Sequence, residues 1–272
     1  MRLIGVDFTS APSNRKPITA AHGWFDAGVV HCENVSRLST WASFDEMLHT
    51  PGPWLGAFDF PFGLPREGVW DLGWPTDWAS LVAHCTAMGK DAFKQALDAY
   101  RSSRPYGARY PHRATDAPAK SHSPFKLVNP PVGLMFLAGA PRLLAAGLTI
   151  PGMHQGDPSR VAVEAYPALV ARRHAAGSYK SDDPARWNDA RRTARITIID
   201  GVLNAGINAA LSLNLGKSLR VDAIEDASGD TLDAILALTQ AATAWTQRHS
   251  GYALPPSIDP IEGWIAGADS LR

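Results

Sequence analysis

Two short apolar runs stop on an aspartate, and they constrain this chain more than any other feature. Leu3-Ile4-Gly5-Val6 ends at Asp7, and Trp54-Leu55-Gly56-Ala57-Phe58 ends at Asp59. Runs of four to eight apolar residues bounded by turn signals read as buried strands. Thr9-Ser10-Ala11-Pro12-Ser13 follows the first, and Pro61-Phe62-Gly63-Leu64-Pro65 closes the second. An ionised carboxylate at the end of a buried strand is costly unless it is paired or bound to a cation. If the two strands are adjacent and parallel, both aspartates meet at the carboxyl edge of a sheet. Ligands of open α/β sheets bind at that edge.

Between these runs, residues 17–26 and 28–35 are rich in Ile, Thr, Val and aromatics, with Asp26-Ala27-Gly28 between them. That pattern predicts a hairpin. Thr40 is placed to cap a helix over 41–49. Residues 76–101 read as helical with a break near Gly89, and 132–146 as an apolar helix. Residues 160–166 form a fifth strand that carries Glu164. Helices are expected over 184–204 and 230–247, and a last short strand over 261–265. Three early strands joined by hairpins, then strand–helix alternation, predict an α/β chain with a mixed five-stranded sheet flanked by helices. The helical and basic region of about 66–150 reads as an insertion into a single domain spanning 1–272.

Composition narrows the class. Hydrophobic residues make up 45% and charged residues 19% of 272, with a formal net charge of zero. A disordered chain has neither feature. No stretch of about 18 uncharged apolar residues is present, so no membrane span is expected. Two cysteines, Cys32 and Cys85, are too few for a disulfide framework or a Cys-rich zinc site, and they read as reduced thiols of a cytoplasmic protein. A Walker A loop, a Gly-x-Gly-x-x-Gly turn and a Gly-x-Ser-x-Gly elbow are all missing.

Neutrality conceals segregation. Residues 101–195 hold 15 lysines and arginines against 6 aspartates and glutamates. Arg101, Arg104, Arg109, Arg113, Lys120 and Lys126 crowd the long stretch 102–130, which lacks periodicity and reads as a functional loop. Such a cluster can attract anions without a high pI. Trp70, Trp74 and Trp78 lie close together, and the loop histidines His112, His122 and His154 are further candidates for phosphate contact.

A second acidic pair opens the last long helix. Asp230 and Asp233 are three apart and share a helix face. With Asp7, Asp59 and Glu164 they make a set of oxygen donors that suits Mg²⁺ or Mn²⁺. Two such ions about 4 Å apart activate a water and stabilise the leaving oxygen of a phosphodiester.

Several segments together resemble a known family. They are Asp7-Phe8-Thr9-Ser10-Ala11-Pro12, Phe58-Asp59-Phe60-Pro61-Phe62-Gly63-Leu64-Pro65, Val163-Glu164-Ala165-Tyr166-Pro167, Gly229-Asp230-Thr231-Leu232-Asp233-Ala234 and Glu262-Gly263-Trp264-Ile265. They are similar to the DUF429 family of predicted nucleases, over most of the chain. The resemblance implies a ribonuclease H-like fold and an acidic metal site. In that site Asp7, Asp59, Glu164 and Asp233 are catalytic, and Asp7, Asp59, Asp230 and Asp233 hold two Mg²⁺ or Mn²⁺ ions. Asp233-Ala234 also looks like the last acidic motif of Holliday-junction resolvases, and Arg113-Ala114-Thr115-Asp116 looks like a further family segment. The expected partner is nucleic acid held by the basic 101–126 stretch, with a second copy of the chain as another candidate. Two other readings stay open. One is a small-phosphate or ATP-handling enzyme on the same sheet, although Asp7-Phe8-Thr9-Ser10 lacks the glycine of the kinase hairpin. The other is a non-catalytic nucleic-acid or partner-binding module.

Overall fold

The computed structural model describes residues 1–205 and 211–268. In chain order the elements are β1 (Arg2–Asp7), β2 (Ile18–Asp26), β3 (Val29–Leu38), α1 (Trp41–Leu48), β4 (Trp54–Asp59), α2 (Arg66–Asp71), α3 (Trp78–Ser102), α4 (Asp116–Ala119) and α5 (Val132–Ala145). Then come β5 (Leu148–Thr149), β6 (Asp157–Glu164), α6 (Pro167–Ala171), α7 (Asp189–Ala205), β7 (Ser212–Leu215), α8 (Lys217–Glu225) and α9 (Asp230–Thr246).

The strands form one mixed sheet in the order β5-β6-β4-β1-β2-β3-β7. Antiparallel pairing joins β1 to β2 and β2 to β3. Parallel pairing joins β1 to β4, β4 to β6, β5 to β6 and β3 to β7. The sheet has seven strands and not the expected five. The two additions are the short edge strands β5 and β7, whose two and four residues are too brief to leave a period in the sequence. The strand expected over 261–265 does not form. That segment turns, and Ile265 makes a single parallel bridge to Glu164. The helix expected over 184–204 begins at Asp189, after a single 3₁₀ turn at Pro184–Arg186.

Local chemistry accounts for most of the boundaries. Thr40 caps α1 by accepting from the Ser43 N–H at 3.1 Å. Asp77 does the same for α3 through the Ser80 N–H. Gly89 breaks α3 in a conformation (φ 72°, ψ 169°) that an L side chain rarely adopts. The N-terminus of α9 is closed by Asp226, which accepts from both the N–H and the hydroxyl of Thr231.

Each face of the sheet has its own core. Along β1, Ile4 and Val6 pack on the side of α1, α3 and α5. Leu3 packs on the other side, with α7, α8 and α9. Side chains alternate along a strand with period two. Gly5 and Asp7 therefore share the α9 face with Leu3. The same alternation in β4 sends Trp54 and Phe58 to the first core, and Leu55, Ala57 and Asp59 to the α9 face. Helix α9 is buried all around, as expected of a helix covered on both sides, and it lies across β1, β2 and β4. Gly5 permits this approach, because a Cβ there would overlap the backbone of Ala234 and Leu238. The glycine that interrupts the first apolar run thus sets how closely Asp233 approaches the sheet. Among the described residues no helix is long and apolar enough to cross a membrane, and both cysteines are buried thiols.

Candidate active site

The parallel register pairs Asp7 directly with Asp59. Both lie at the carboxyl ends of their strands and on the α9 face. Asp230 and Asp233 arrive there from the first turn of α9. All four border one cavity of about 1380 Å³. Its size exceeds the usual range of roughly 300–1,000 Å³ for small-molecule pockets.

The four carboxylates fall into two kinds. Asp230 and Asp233 have partners. Asp230 accepts from the Lys16 ammonium at 2.8 Å. Asp233 is fully buried and accepts from the Tyr179 hydroxyl at 2.5 Å and from the Lys180 ammonium. Asp7 and Asp59, by contrast, accept no hydrogen bond among the described residues, although Asp7 is only 7% exposed. Burial raises the Asp7 carboxyl well above its ordinary value, with Asp230, Asp233 and Asp59 adding to the rise and Lys180 opposing it. Burial likewise lifts Asp59 to about 7, helped by Asp233 and Glu164 and opposed by Lys180. Lys180 is held charged. Burial works against its proton, but Asp233, Tyr179, Asp7 and Asp59 together raise its pKa well above the ordinary lysine value.

Glu164 borders the same cavity but is committed to other partners. Alternation along β6 puts Val161 and Val163 on the α9 face and turns Glu164 the other way. There it meets Arg113 in a two-pronged pair at 2.7 and 2.8 Å and accepts the Phe62 N–H at 2.9 Å. Arg113 spends its five N–H donors on Glu164 (two), Asp116 (two) and the Glu262 carbonyl. The Glu262 carboxylate accepts the N–H groups of Ala114 and Arg66, both at 2.8 Å. The Thr115 hydroxyl accepts the Ile265 N–H at 3.0 Å. This network ties the long loop, the end of β6 and the 259–265 turn into one unit beside the cavity. It fixes the segment after β4 and so the position of Asp59. Trp78 adds to the same end, its indole N–H donating to the Phe62 carbonyl at 2.6 Å.

The basic residues of the 101–126 stretch are not gathered at the cavity. Arg113 borders it but is 3% exposed and has no donor left for a phosphate. Arg101 pairs with Asp98, and Arg104 with Glu67 and Asp71. Arg109 reaches back to the Arg104 carbonyl and lies over Tyr106. Lys120 and Lys126 do not line the cavity. Besides Arg113, the lysines and arginines that line it are Arg15, Lys16, Arg37 and Lys180. Sequence reasoning missed these as site residues. Lys16 and Lys180 sit in irregular segments, and their only signal was proximity in the chain to other polar residues. Tyr179 was missed for the same reason.

We compared the chain with family models, with curated proteins and with solved structures. It matches none of them.

Among the described residues no three His, Cys, Asp or Glu side chains form a ready-made metal cage. Mg²⁺ does not need one: it usually binds through one or two carboxylates, water and substrate phosphate. An all-oxygen pair, one member buried and one half-buried, lining a cavity and without a hydrogen-bond donor among the described residues, fits a hard divalent cation.

The raised Asp59 carboxyl has a measurable consequence in the metal-free protein. Its ordinary value is 3.8 and its folded value about 7, so the folded chain binds this proton more tightly than the unfolded one. The associated stability is complete below the unfolded value and is lost as pH rises toward 7. Asp59→Asn is therefore expected to gain stability relative to wild type as pH is raised from about 4 to about 8. Urea unfolding in chelator at several pH values checks this, and a constant difference would place Asp59 in an ordinary solvated environment.

Proposed function

We propose that this chain is a metal-dependent phosphodiesterase acting on nucleic acid. The observation that carries this reading is the Asp7–Asp59 pair: two strand-end carboxylates in register, Asp7 buried and Asp59 half-buried, accepting no hydrogen bond among the described residues and lining a large cavity. The DUF429 resemblance supports it, and so does the sheet, with hairpins on one side of β1 and parallel strands on the other, as a ribonuclease H-like reading expects. The cavity size and its exposed cation Arg15 suit a polyanion better than a small metabolite, while Arg37, also exposed there, faces Asp226 at 3.6 Å. Trp187, 51% exposed at the cavity, offers a face on which a base can stack.

Asp7 and Asp59 would hold the cation. Once bound, a divalent ion lowers the pKa of a water and stabilises charge on the leaving oxygen. Hydrolysis adds water across the P–O bond and yields a phosphomonoester and a free hydroxyl. Asp233, pinned by Tyr179 and Lys180, sets the potential that Asp7 and Asp59 feel. Lys16 steadies Asp230 and brings a positive charge to the cavity wall. The Arg113–Glu164 network keeps the chain after Asp59 in place.

The test is a labelled panel of single strands, duplexes, RNA–DNA hybrid and a four-way junction, incubated with Mn²⁺ or with chelator. Cleavage of at least one member, in Mn²⁺ only, is expected. Salt-sensitive binding without cleavage would replace this reading with a nucleic-acid-binding module.

A further inference from the structure

The charge balance of the carboxylate site is uneven in an informative way. Asp7, Asp59, Asp230 and Asp233 bring four negative charges. Lys16 and Lys180 bring two positive ones. Asp182, which also accepts from Lys16, is 76% exposed and screened by solvent. Glu164 is already matched by Arg113. With all four carboxylates ionised, as a bound cation requires, the site is left two negative charges in excess, which one divalent ion would neutralise. Two ions would overshoot it.

The placement of Lys180 agrees with this count. Its ammonium bonds Asp233 on α9 and acts electrostatically on Asp7 and Asp59 across the site. Asp233 cannot easily turn toward a metal, because its other oxygen is held by Tyr179 at 2.5 Å. Among the described residues the unpartnered oxygens in the site are those of Asp7 and Asp59 and the second oxygen of Asp230, whose first is held by Lys16; only the first two residues come from adjacent, paired strands.

We propose that the Lys180 ammonium replaces the second cation, so that the site binds a single divalent ion between Asp7 and Asp59. The inference rests on the metal-dependent reading above. Lys180 is then a positioning residue: it holds Asp233 away from the ion and supplies fixed positive charge where a second ion would otherwise be needed.

The experiment counts bound Mn²⁺ by the paramagnetic resonance signal of the free ion, with calorimetry alongside, on the full chain. Wild type, Lys180→Met and Asp7→Asn are titrated, and their folding is checked by circular dichroism. One ion in wild type, two in Lys180→Met and none in Asp7→Asn is the expected result. Two ions in wild type would overturn the role of Lys180 and leave the metal-dependent reading intact; this arm needs no variant to fold. One ion in both wild type and Lys180→Met would also overturn it. No Mn²⁺ bound by either would overturn both the inference and the function it rests on.

Discussion

Asp7→Asn is expected to lose Mn²⁺-dependent cleavage by on the order of 10³-fold or more, yet to fold at least as stably as wild type. The two halves of this result have one cause. Asp7 is buried beside three other carboxylates and accepts no hydrogen bond among the described residues. Its charge is therefore a cost to the fold, and asparagine of nearly the same shape removes it. The same charge is what would hold a cation, and a neutral amide is a far weaker ligand for Mg²⁺ or Mn²⁺. Cleavage rates and urea midpoints measured on the same preparations check both halves. A core aspartate with only a structural role would give the opposite pattern, with lower stability and any activity lost in proportion. Equal cleavage by wild type and variant would remove Asp7 from the chemistry.

The second large effect is on the fold. Arg113→Met is expected to destabilise the protein by about 3–5 kcal/mol, the usual cost of stranding a buried charge without its partner. Two carboxylates, Glu164 and Asp116, would be stranded, 3% and 1% exposed. Arg113→Lys should recover only part of the loss. A single ammonium has three donors and cannot reproduce the planar fork that spans Glu164, Asp116 and the Glu262 carbonyl. Arg104 provides the contrast. It pairs with Glu67 and Asp71 at the surface, where such pairs contribute about 0–1 kcal/mol, so Arg104→Ala should shift the urea midpoint little. Were Arg113 a phosphate contact, its substitution would instead weaken nucleic-acid binding and flatten its salt dependence with stability unchanged.

These two residues show which part of the arrangement was legible in the sequence and which was not. Asp7 and Asp59 were visible as site candidates because each ends an apolar run, and a period of two assigns both to one face once their strands are paired. Asp230 and Asp233 were visible through helical spacing. Glu164 shared the same outward signature, a carboxylate ending an apolar run, but its strand is one residue out of phase with β4. It therefore points to the opposite face, to Arg113. That phase is set by the register of β6 on β4, which aligns Phe58 with Glu164 and not Asp59 with Glu164. The basic stretch misled for a related reason. Arg101, Arg104 and Arg109 are near Arg113 in sequence, but α3 and the following turn leave them outside the cavity lining.

The sequence by itself determined the strands that carry Asp7 and Asp59, the helix that carries Asp230 and Asp233, and the glycine that lets the two approach. All of these rest on local period and on steric rules that act within a few residues. Only the tertiary structure decided which charges meet. Lys16 lies 214 residues from Asp230 in the chain, and Lys180 lies 53 from Asp233. Such pairs form because burial leaves a carboxylate no water to turn to. The nearest cation that the packed loops can deliver then takes its place, and no local pattern records which one that will be.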